Sequence, residues 1–429
     1  MQLDMEYVIF WFRRDLRFED NTALNAALQS GKKVLPIFIF DNQILDELSN
    51  DDPRIGFIYN TIAGLDQELR RNNSSLLCLK GNTVEVWKKL IQEFNIKRVY
   101  VNKDYEPYAL ERDSEIITIL ESNDIDFLLY KDQVIFEELE VAKADGRPYT
   151  VFTPYKQKWL SHYSIPKPMS NISFQNFHNE SYDFPTIENL GFGESLIKVR
   201  DYNLTVSRDY GVVRDFPALD GGSYLGPHLR YGTISIRQVI ASIETQDSTF
   251  LSELIWREFF MQILYNFPHV VDQNFKSKYN GVKWINSERD FDIWCNGKTG
   301  YPIVDAGMRQ LNETGYMHNR VRMITAGFLC KHLLIDWKWG EAYFADKLLD
   351  YELASNNGNW QWAAGTGCDA APYFRIFNPT TQSIKFDKHS DYITRWVPEI
   401  NTQEYPTPMI EHSFARQRAL EVYKNGILN

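Results

Sequence analysis

The 429-residue sequence holds only four cysteines, Cys78, Cys295, Cys330 and Cys368, far apart and with no CxxC pair. That scarcity excludes a disulfide framework and offers no metal-ligand spacing, so no metal is expected. The thiols read as the reduced ones of a cytoplasmic enzyme. No apolar run approaches the roughly 18 residues that a membrane helix needs, which argues against a membrane partner. MQLDMEYVIFWF has no basic segment ahead of its apolar run, so no secretory signal is expected. Internal repeats and low-complexity tracts are also missing, which argues against solenoids and disordered arrays. An excess of basic charge is lacking too. The net charge of −11 at first speaks against a nucleic-acid partner. Its distribution softens the point: residues 1–199 carry 22 basic and 31 acidic side chains, residues 200–429 carry 24 and 26. A local basic face on the second half is enough to hold phosphates.

Aromatics, by contrast, are abundant at 14 % of residues, with 11 tryptophans. Eight of these (Trp256, Trp284, Trp294, Trp337, Trp339, Trp360, Trp362 and Trp396) lie beyond residue 250. Such an excess fits either a large aromatic core or a planar ligand with a redox relay. Hydrophobic residues at 44 % and charged residues at 24 % describe a globular chain, long enough for two or three domains.

The first part alternates strand and helix patterns. YVIFWF (7–12), VLPIFIFD (34–41), SLLCLKG (75–81), KRVYVN (97–102) and IDFLLYKD (125–132) read as strands. Between them, residues 21–31, 54–72, 83–94 and 111–123 have helical periodicity. Short connections between such segments predict a Rossmann-like parallel sheet covered by helices, over residues 1–132. Residues 133–200, rich in Pro, Ser and aromatics, read as an ordered connector. Beyond it, strand signals fade. ISIRQVIASIET, FLSELIWREFFMQILYNF, IVDAGMRQLNET and MHNRVRMITAGFLCKHLLIDW all read as helices, predicting an all-α domain over 201–429.

Three constellations stand out. In SELIWREFF, Glu253, Trp256 and Arg257 fall at i, i+3 and i+4 and share a helix face. The trio suits a polar planar ligand; an amphipathic helix with a local Glu253–Arg257 pair is the simpler reading. In MHNRVRM, Asn319 and Met323 share a face flanked by Arg320 and Arg322. Such a helix can read a base edge and hold phosphates, or be an ordinary basic helix. The run SNNGNWQWAAGTGCDAAPYFRIFNP (355–379) is the least ordinary. Its small residues are expected to let backbone approach a flat ligand, a density that pure packing does not call for.

That last run closely resembles the flavin-binding signature of the photolyase/cryptochrome family. WFRRDLRFEDN (11–21), SELIWREFF, GKTGYPIVDAGMRQL (297–311) and HNRVRM also resemble family motifs, in the family's order. WQW and PYFRIFNP most resemble class I cyclobutane pyrimidine dimer photolyases. The resemblance implies that the helical domain holds FAD, active in its reduced anionic form. Tyr210 and Gly222-Ser223-Tyr224-Leu225-Gly226 match phosphate-holding positions, with glycine where the family usually has a hydroxyl at the first and last of the five. Arg322 and Asp350 match an ion pair beside the flavin ring, Glu352 stands where the family commonly has Asp, and Asn356 matches the residue facing flavin N5.

The resemblance also implies a lesion pocket of Glu253, Trp256, Asn319, Arg320, Met323 and Trp362. Glu253 would act as a hydrogen-bond donor to the dimer. Arg214, Arg257 and Arg375 match phosphate contacts, and Trp360, Trp337 and Trp284 match an electron relay. The implied partner is ultraviolet-damaged DNA, repaired by a cytoplasmic monomer. An antenna chromophore is possible. In VNKDYEPYALERD (101–113), Glu106 is present, but Tyr108 and Ala109 replace the Asn and Glu common in folate-binding relatives, leaving a deazaflavin, FMN or no antenna. Three alternatives stand beside this reading. A cryptochrome receptor often has a long C-terminal extension, whereas this sequence stops about 50 residues after the signature. A (6-4) photolyase usually needs a His pair, where only His318 is visible. An adenine-nucleotide module leaves the C-terminal signature unexplained.

Overall fold

A computed structural model describes residues 6–169, 172–243 and 248–428. The first five residues of MQLDMEYVIFWF and the last two of ISIRQVIASIET lie outside these.

Five strands form one parallel sheet: β1 (Glu6–Phe12), β2 (Val34–Asp41), β3 (Leu77–Gly81), β4 (Asn95–Asn102) and β5 (Asp126–Tyr130), in the order β3-β2-β1-β4-β5. β1 is apolar on both faces because both are covered. Val8, Phe10 and Phe12 enter one core cluster, while Tyr7, Ile9 and Trp11 enter the other. The crossover helices Thr22–Leu28, Pro53–Arg71 and Thr83–Glu93 start within a residue of the expected positions, while the fourth, Pro107–Glu121, starts four residues before the expected 111, at a proline in its first turn. Asn21, Asp52 and Asn82 each accept a hydrogen bond from a backbone N–H of the first turn.

The arginines of WFRRDLRFEDN turn out to be internal braces. Arg13 pairs with Asp113 at 2.6 Å, Arg14 with Asp104 at 3.1 Å and Arg17 with Asp132 at 2.5 Å. Glu106 is tied to Arg14 and Arg230, Tyr108 donates to Asp41, and Ala109 is buried.

The chain packs into two compact units that do not follow the three consecutive segments the sequence suggested. The first takes the chain up to Glu140, then Tyr163–Tyr202, then the stretch from Tyr224 to residue 243. The second takes Val141–His162, Asn203–Ser223 and everything from residue 248. The stretch 133–200 is therefore no separate connector. Phe177 bridges to β2 at Val34, while the helix Phe152–His162 sends Trp159 to donate to Glu258 of the second unit at 2.6 Å.

The described part of the second unit is helical. MHNRVRMITAGFLCKHLLIDW is not one helix, as its pattern suggested. An α-helix (Asn319–Gly327) passes into a π-helical segment (Phe328–Leu333), which stops at Leu334 in the left-handed region before a new helix starts at Trp337. Further along come the helices Trp337–Lys347, Leu353–Ala364 and His412–Leu428. No helix among the described residues is long and apolar enough to cross a membrane, and no group of three or more His, Cys, Asp or Glu among them is placed to hold a metal ion.

Candidate functional site

The helix Leu353–Ala364 carries the core of the signature run, and its small and amide residues are spent on packing. A Cβ on Gly358 would overlap the Phe260 ring, and one on Gly340 of the neighbouring helix would overlap the Trp360 indole. Asn357 and Gln361 both donate to the carbonyl of Val270, at 2.9 and 3.0 Å. On this face of the helix, these residues serve packing rather than the expected approach of backbone to a ligand. They let aromatic rings and a neighbouring loop close on the helix, because buried amides need partners and rings need room.

The opposite face of the helix borders a recess with about 590 Å³ of atom-free space, its mouth included. Asn319, Arg322, Met323, Asp350, Glu352, Asn356, Trp360 and Trp362 all border it. Arg322 Nη2 lies 2.9 Å from Asp350 Oδ2, and its Nε donates to the Met317 carbonyl at 2.8 Å, so the guanidinium is fixed from two sides. Asn356 is buried. Its Nδ2 donates to the Glu341 carbonyl at 3.0 Å and to Glu341 Oε1 at 3.1 Å. Burial pushes the Glu341 carboxyl up to about 7. With Nδ2 so engaged, Asn356 presents Oδ1, which takes no hydrogen bond among the described residues, as an acceptor. This donor set suits a flavin ring: an amide oxygen for a ring N–H, a guanidinium–carboxylate pair for the polar edge, and Trp360 and Phe344 as apolar wall.

Two lesion-pocket candidates have partners that the helix-face reading did not foresee. Glu253 Oε1 accepts from Arg214 Nη1 at 2.6 Å, so the carboxylate is an acceptor here rather than the donor expected of it. Arg257 reaches Glu352 at 3.3 Å, replacing the local Glu253–Arg257 pair. Its side chain is 13 % exposed and held by Glu352, where the resemblance implies a DNA phosphate contact. Trp256 stacks face to face on Phe152, with ring centroids 3.6 Å apart and planes 7° apart. Arg320 turns away from the recess to Asp215 at 2.5 Å and lies 4.4 Å from the Phe386 ring centroid. Arg375 stands exposed on the loop after the signature helix.

His318 caps the helix Asn319–Gly327, its Nδ1 accepting from the Arg320 N–H at 3.2 Å. Burial and the two neighbouring guanidiniums bring it down to about 4, so it is neutral at physiological pH. Of the phosphate-binding candidates, Tyr210, Gly222 and Ser223 belong to the second unit, while Tyr224, Leu225 and Gly226 belong to the first. Tyr210 lies under Arg214, whose Cζ is 5.4 Å from its ring centroid. Burial, with the nearby Glu253 charge, raises the Tyr210 phenol to about 12.

Of the relay candidates, Trp360 and Trp337 are buried and Trp284 is partly buried against the core. Trp337 donates to Asn274 Oδ1 at 2.9 Å, and Trp284 stands edge-on to Tyr423 at 5.8 Å. Two residues at or beside the site went unremarked in the sequence, Glu341 and Phe152; Trp294, counted there only among the tryptophans, has its ring 6.2 Å from Trp360. Glu341 is fifteen residues from Asn356, and Phe152 arrives from a loop-like stretch, so no helical spacing links either to its partner.

The family model described as "FAD binding domain of DNA photolyase" matches residues 250–404, and the one described as "DNA photolyase" matches residues 8–172. The chain is 37 % identical to the deoxyribodipyrimidine photo-lyase of Vibrio cholerae, over 97 % of this chain and 99 % of that one. Among solved structures it is similar to a bacterial class III photolyase from Agrobacterium tumefaciens, with a TM-score of 0.88 at 33 % identity, covering 100 % of this chain and 99 % of that one. It is also similar to an archaeal photolyase from Sulfolobus tokodaii described with two FAD molecules, with a TM-score of 0.86 at 34 % identity, covering 98 % and 100 %.

Proposed function

The chain belongs to the DNA photolyase family, and we propose that its reaction is the light-driven reopening of the cyclobutane ring joining adjacent pyrimidines in ultraviolet-damaged DNA. It is a photolyase with an FAD-binding domain. One observation carries the proposal: flavin-suited groups (Asn356, Arg322, Asp350) and lesion-suited groups (Asn319, Met323, Trp362) border the same recess. Donor and acceptor of an electron are then neighbours.

When bound, FAD in its reduced form supplies the light-excited electron that opens the ring. The chain's own residues place and polarise the partners. Asn356, oriented by Glu341, offers an acceptor that suits a flavin protonated at N5, the reduced form. Trp256, already stacked on Phe152, and Trp362 offer aromatic faces to the joined bases. Photolyases are themselves a standard example of enzymes that take the base out of the stack, and a damaged, poorly paired site lowers that cost of a few kcal/mol. Arg214 and the exposed Arg375 would meet phosphates. Release of Arg214 to a phosphate would free Glu253 to take up a proton, and the protonated carboxyl would then donate the hydrogen bond that stabilises negative charge as it develops on the dimer. Trp360, Trp337 and Trp284 serve to reduce oxidised flavin from the surface.

The proposal includes a cytoplasmic monomer and assignment to class I, which rests on WQW and PYFRIFNP. His318, a neutral helix cap with no second His in contact with it among the described residues, does not favour the (6-4) reading. The test is direct: purify the chain, reduce it, and illuminate it with dimer-containing oligothymidine. Loss of dimers under blue light and none in the dark is expected. Dimers that survive illumination of a flavin-loaded, reduced protein refute the proposal.

A further inference from the structure

The π-helical segment Phe328–Leu333 buries an ammonium group in the helical unit. Lys331 is 3 % exposed, and its Nζ donates to the carbonyl of Ala364 at 2.6 Å. The Tyr423 hydroxyl, from the helix His412–Leu428, donates to the same oxygen at 2.7 Å. Lys331 Nζ also sits 3.8 Å from the centroid of the Tyr423 ring. Ala364 is the last residue of the signature helix, where carbonyls lose their intrahelical partners and the helix dipole is negative. A cation there, held over an aromatic face away from water, is at its most effective.

The next residue, Gly365, reverses the chain with φ +88°, and a Cβ on it would come within 3.4 Å of both Lys331 Nζ and the Tyr373 Cα. Tyr373 stacks on Tyr423, centroids 5.8 Å and planes 2° apart. Lys331 and Tyr423 therefore grip the end of the signature helix and the loop that follows it. Two residues before the grip is Trp362; beyond it is the exposed Arg375.

We infer that Lys331 and Tyr423 are positioning residues for DNA recognition, a latch through which the C-terminal helix sets the loop 365–378 and so the place of Arg375 and Trp362. The inference rests on the proposed repair function for its DNA readout, and on the packing alone for its structural one. Around Lys331 stand Cys330 on its own segment, Tyr423 on the C-terminal helix and Tyr373 on the loop, with Asp336 at the head of the next helix within electrostatic reach of Cys330 and Tyr423. Burial brings the Lys331 amine down to about 7. The latch is thus cationic below neutrality and loses its charge as pH rises.

The test uses the full, FAD-loaded chain. Lys331→Met keeps the stem and removes the charge, Lys331→Arg keeps a charge, and Tyr423→Phe removes one hydroxyl while keeping the ring beside Trp284. Expected for Lys331→Met is unchanged flavin content and unchanged repair yield at saturating DNA, but about tenfold weaker binding of a dimer-containing oligonucleotide. Tyr423→Phe weakens binding in the same direction, and Lys331→Arg restores part of it. Hydrogen exchange of amides in 365–378 speeds up in the weakened variants with no DNA present. Wild-type binding weakens between about pH 6 and about pH 8.5, and Lys331→Met does not show that dependence. Unchanged affinity and unchanged exchange in both Lys331→Met and Tyr423→Phe overturn the inference. If Lys331→Met fails to fold, Tyr423→Phe and the wild-type pH profile decide. If the wild type binds no dimer-containing DNA, the functional reading fails, and the exchange rates still decide the latch.

Discussion

Replacing Glu341 by Gln tests the electrostatics of the recess most sharply. The carboxyl group is held against the Asn356 amide, away from any cation that pairs with it, and burial carries it from its ordinary 4.5 to about 7. A folded state that holds a proton more tightly than the unfolded chain loses stability as pH rises from about 4.5 to about 7, and loses no more beyond that. At about 1.4 kcal/mol for each tenfold change in proton affinity, the full loss is on the order of 3 kcal/mol. Glu341→Gln keeps an oxygen for Asn356 Nδ2 and has nothing to ionise. Its urea midpoint should match wild type near pH 5 and exceed it near pH 8 by an amount approaching that figure. Glu341→Ala, by contrast, frees the Asn356 amide to turn, so its reduced flavin should reoxidise faster in air. If Glu341→Gln and wild type lose stability in parallel across that range, the carboxyl is not the buried titrating group and the argument fails.

Glu253→Ala should lower repair yield by at least about tenfold while flavin absorbance stays, because it removes a group that would act on charge developing in the dimer; equal yields at saturating DNA would remove that role. Trp337→Phe should block photoreduction of oxidised flavin but spare repair by pre-reduced enzyme, checked by flavin bleaching under blue light. Phe152→Ala should weaken binding of dimer-containing DNA by up to about tenfold, since a face-to-face pair contributes roughly 1 kcal/mol beyond its area and holds Trp256 in place. Fluorescence anisotropy with a labelled oligonucleotide reads that directly.

The sheet was legible because its signals are local. Each strand is a short apolar run ended by a turn, and Asn21, Asp52 and Asn82 stand one position before the helices they cap. The long run from Met317 to Trp337 misled, because apolar periodicity does not distinguish an α-helix from a π-helical continuation. The change at Phe328 goes with tertiary contacts of Lys331 with Ala364 and Tyr423 and of His332 with His412, which no local pattern announces. The stretch 133–200 lacked any local signal of its division, since what assigns Trp159 to one unit is a carboxylate ninety-nine residues away.

The site shows the same limit in a form that matters for chemistry. Helical spacing placed Glu253, Trp256 and Arg257 on one face, and that much follows from 3.6 residues per turn. Spacing could not say which charge neutralises which. A surface pair of that kind contributes little, whereas a part-buried carboxylate needs a partner, and Arg214 is the one within reach of Glu253. Once Glu253 is taken, Arg257 is left to Glu352 and is mostly withdrawn from solvent. The choice fixes function. An arginine held by a part-exposed carboxylate, as Arg214 is by Glu253, can be drawn off by a phosphate and leave that group to the substrate, while Arg257, less exposed and paired with the buried Glu352, is harder to draw off. Double-mutant cycles on Arg214 and Glu253, with and without dimer-containing DNA, put a number on that exchange. The coupling should be strong in the free protein and weak in the complex, and a coupling that persists unchanged with DNA bound would show that the pair is structural and that Glu253 never reaches the lesion.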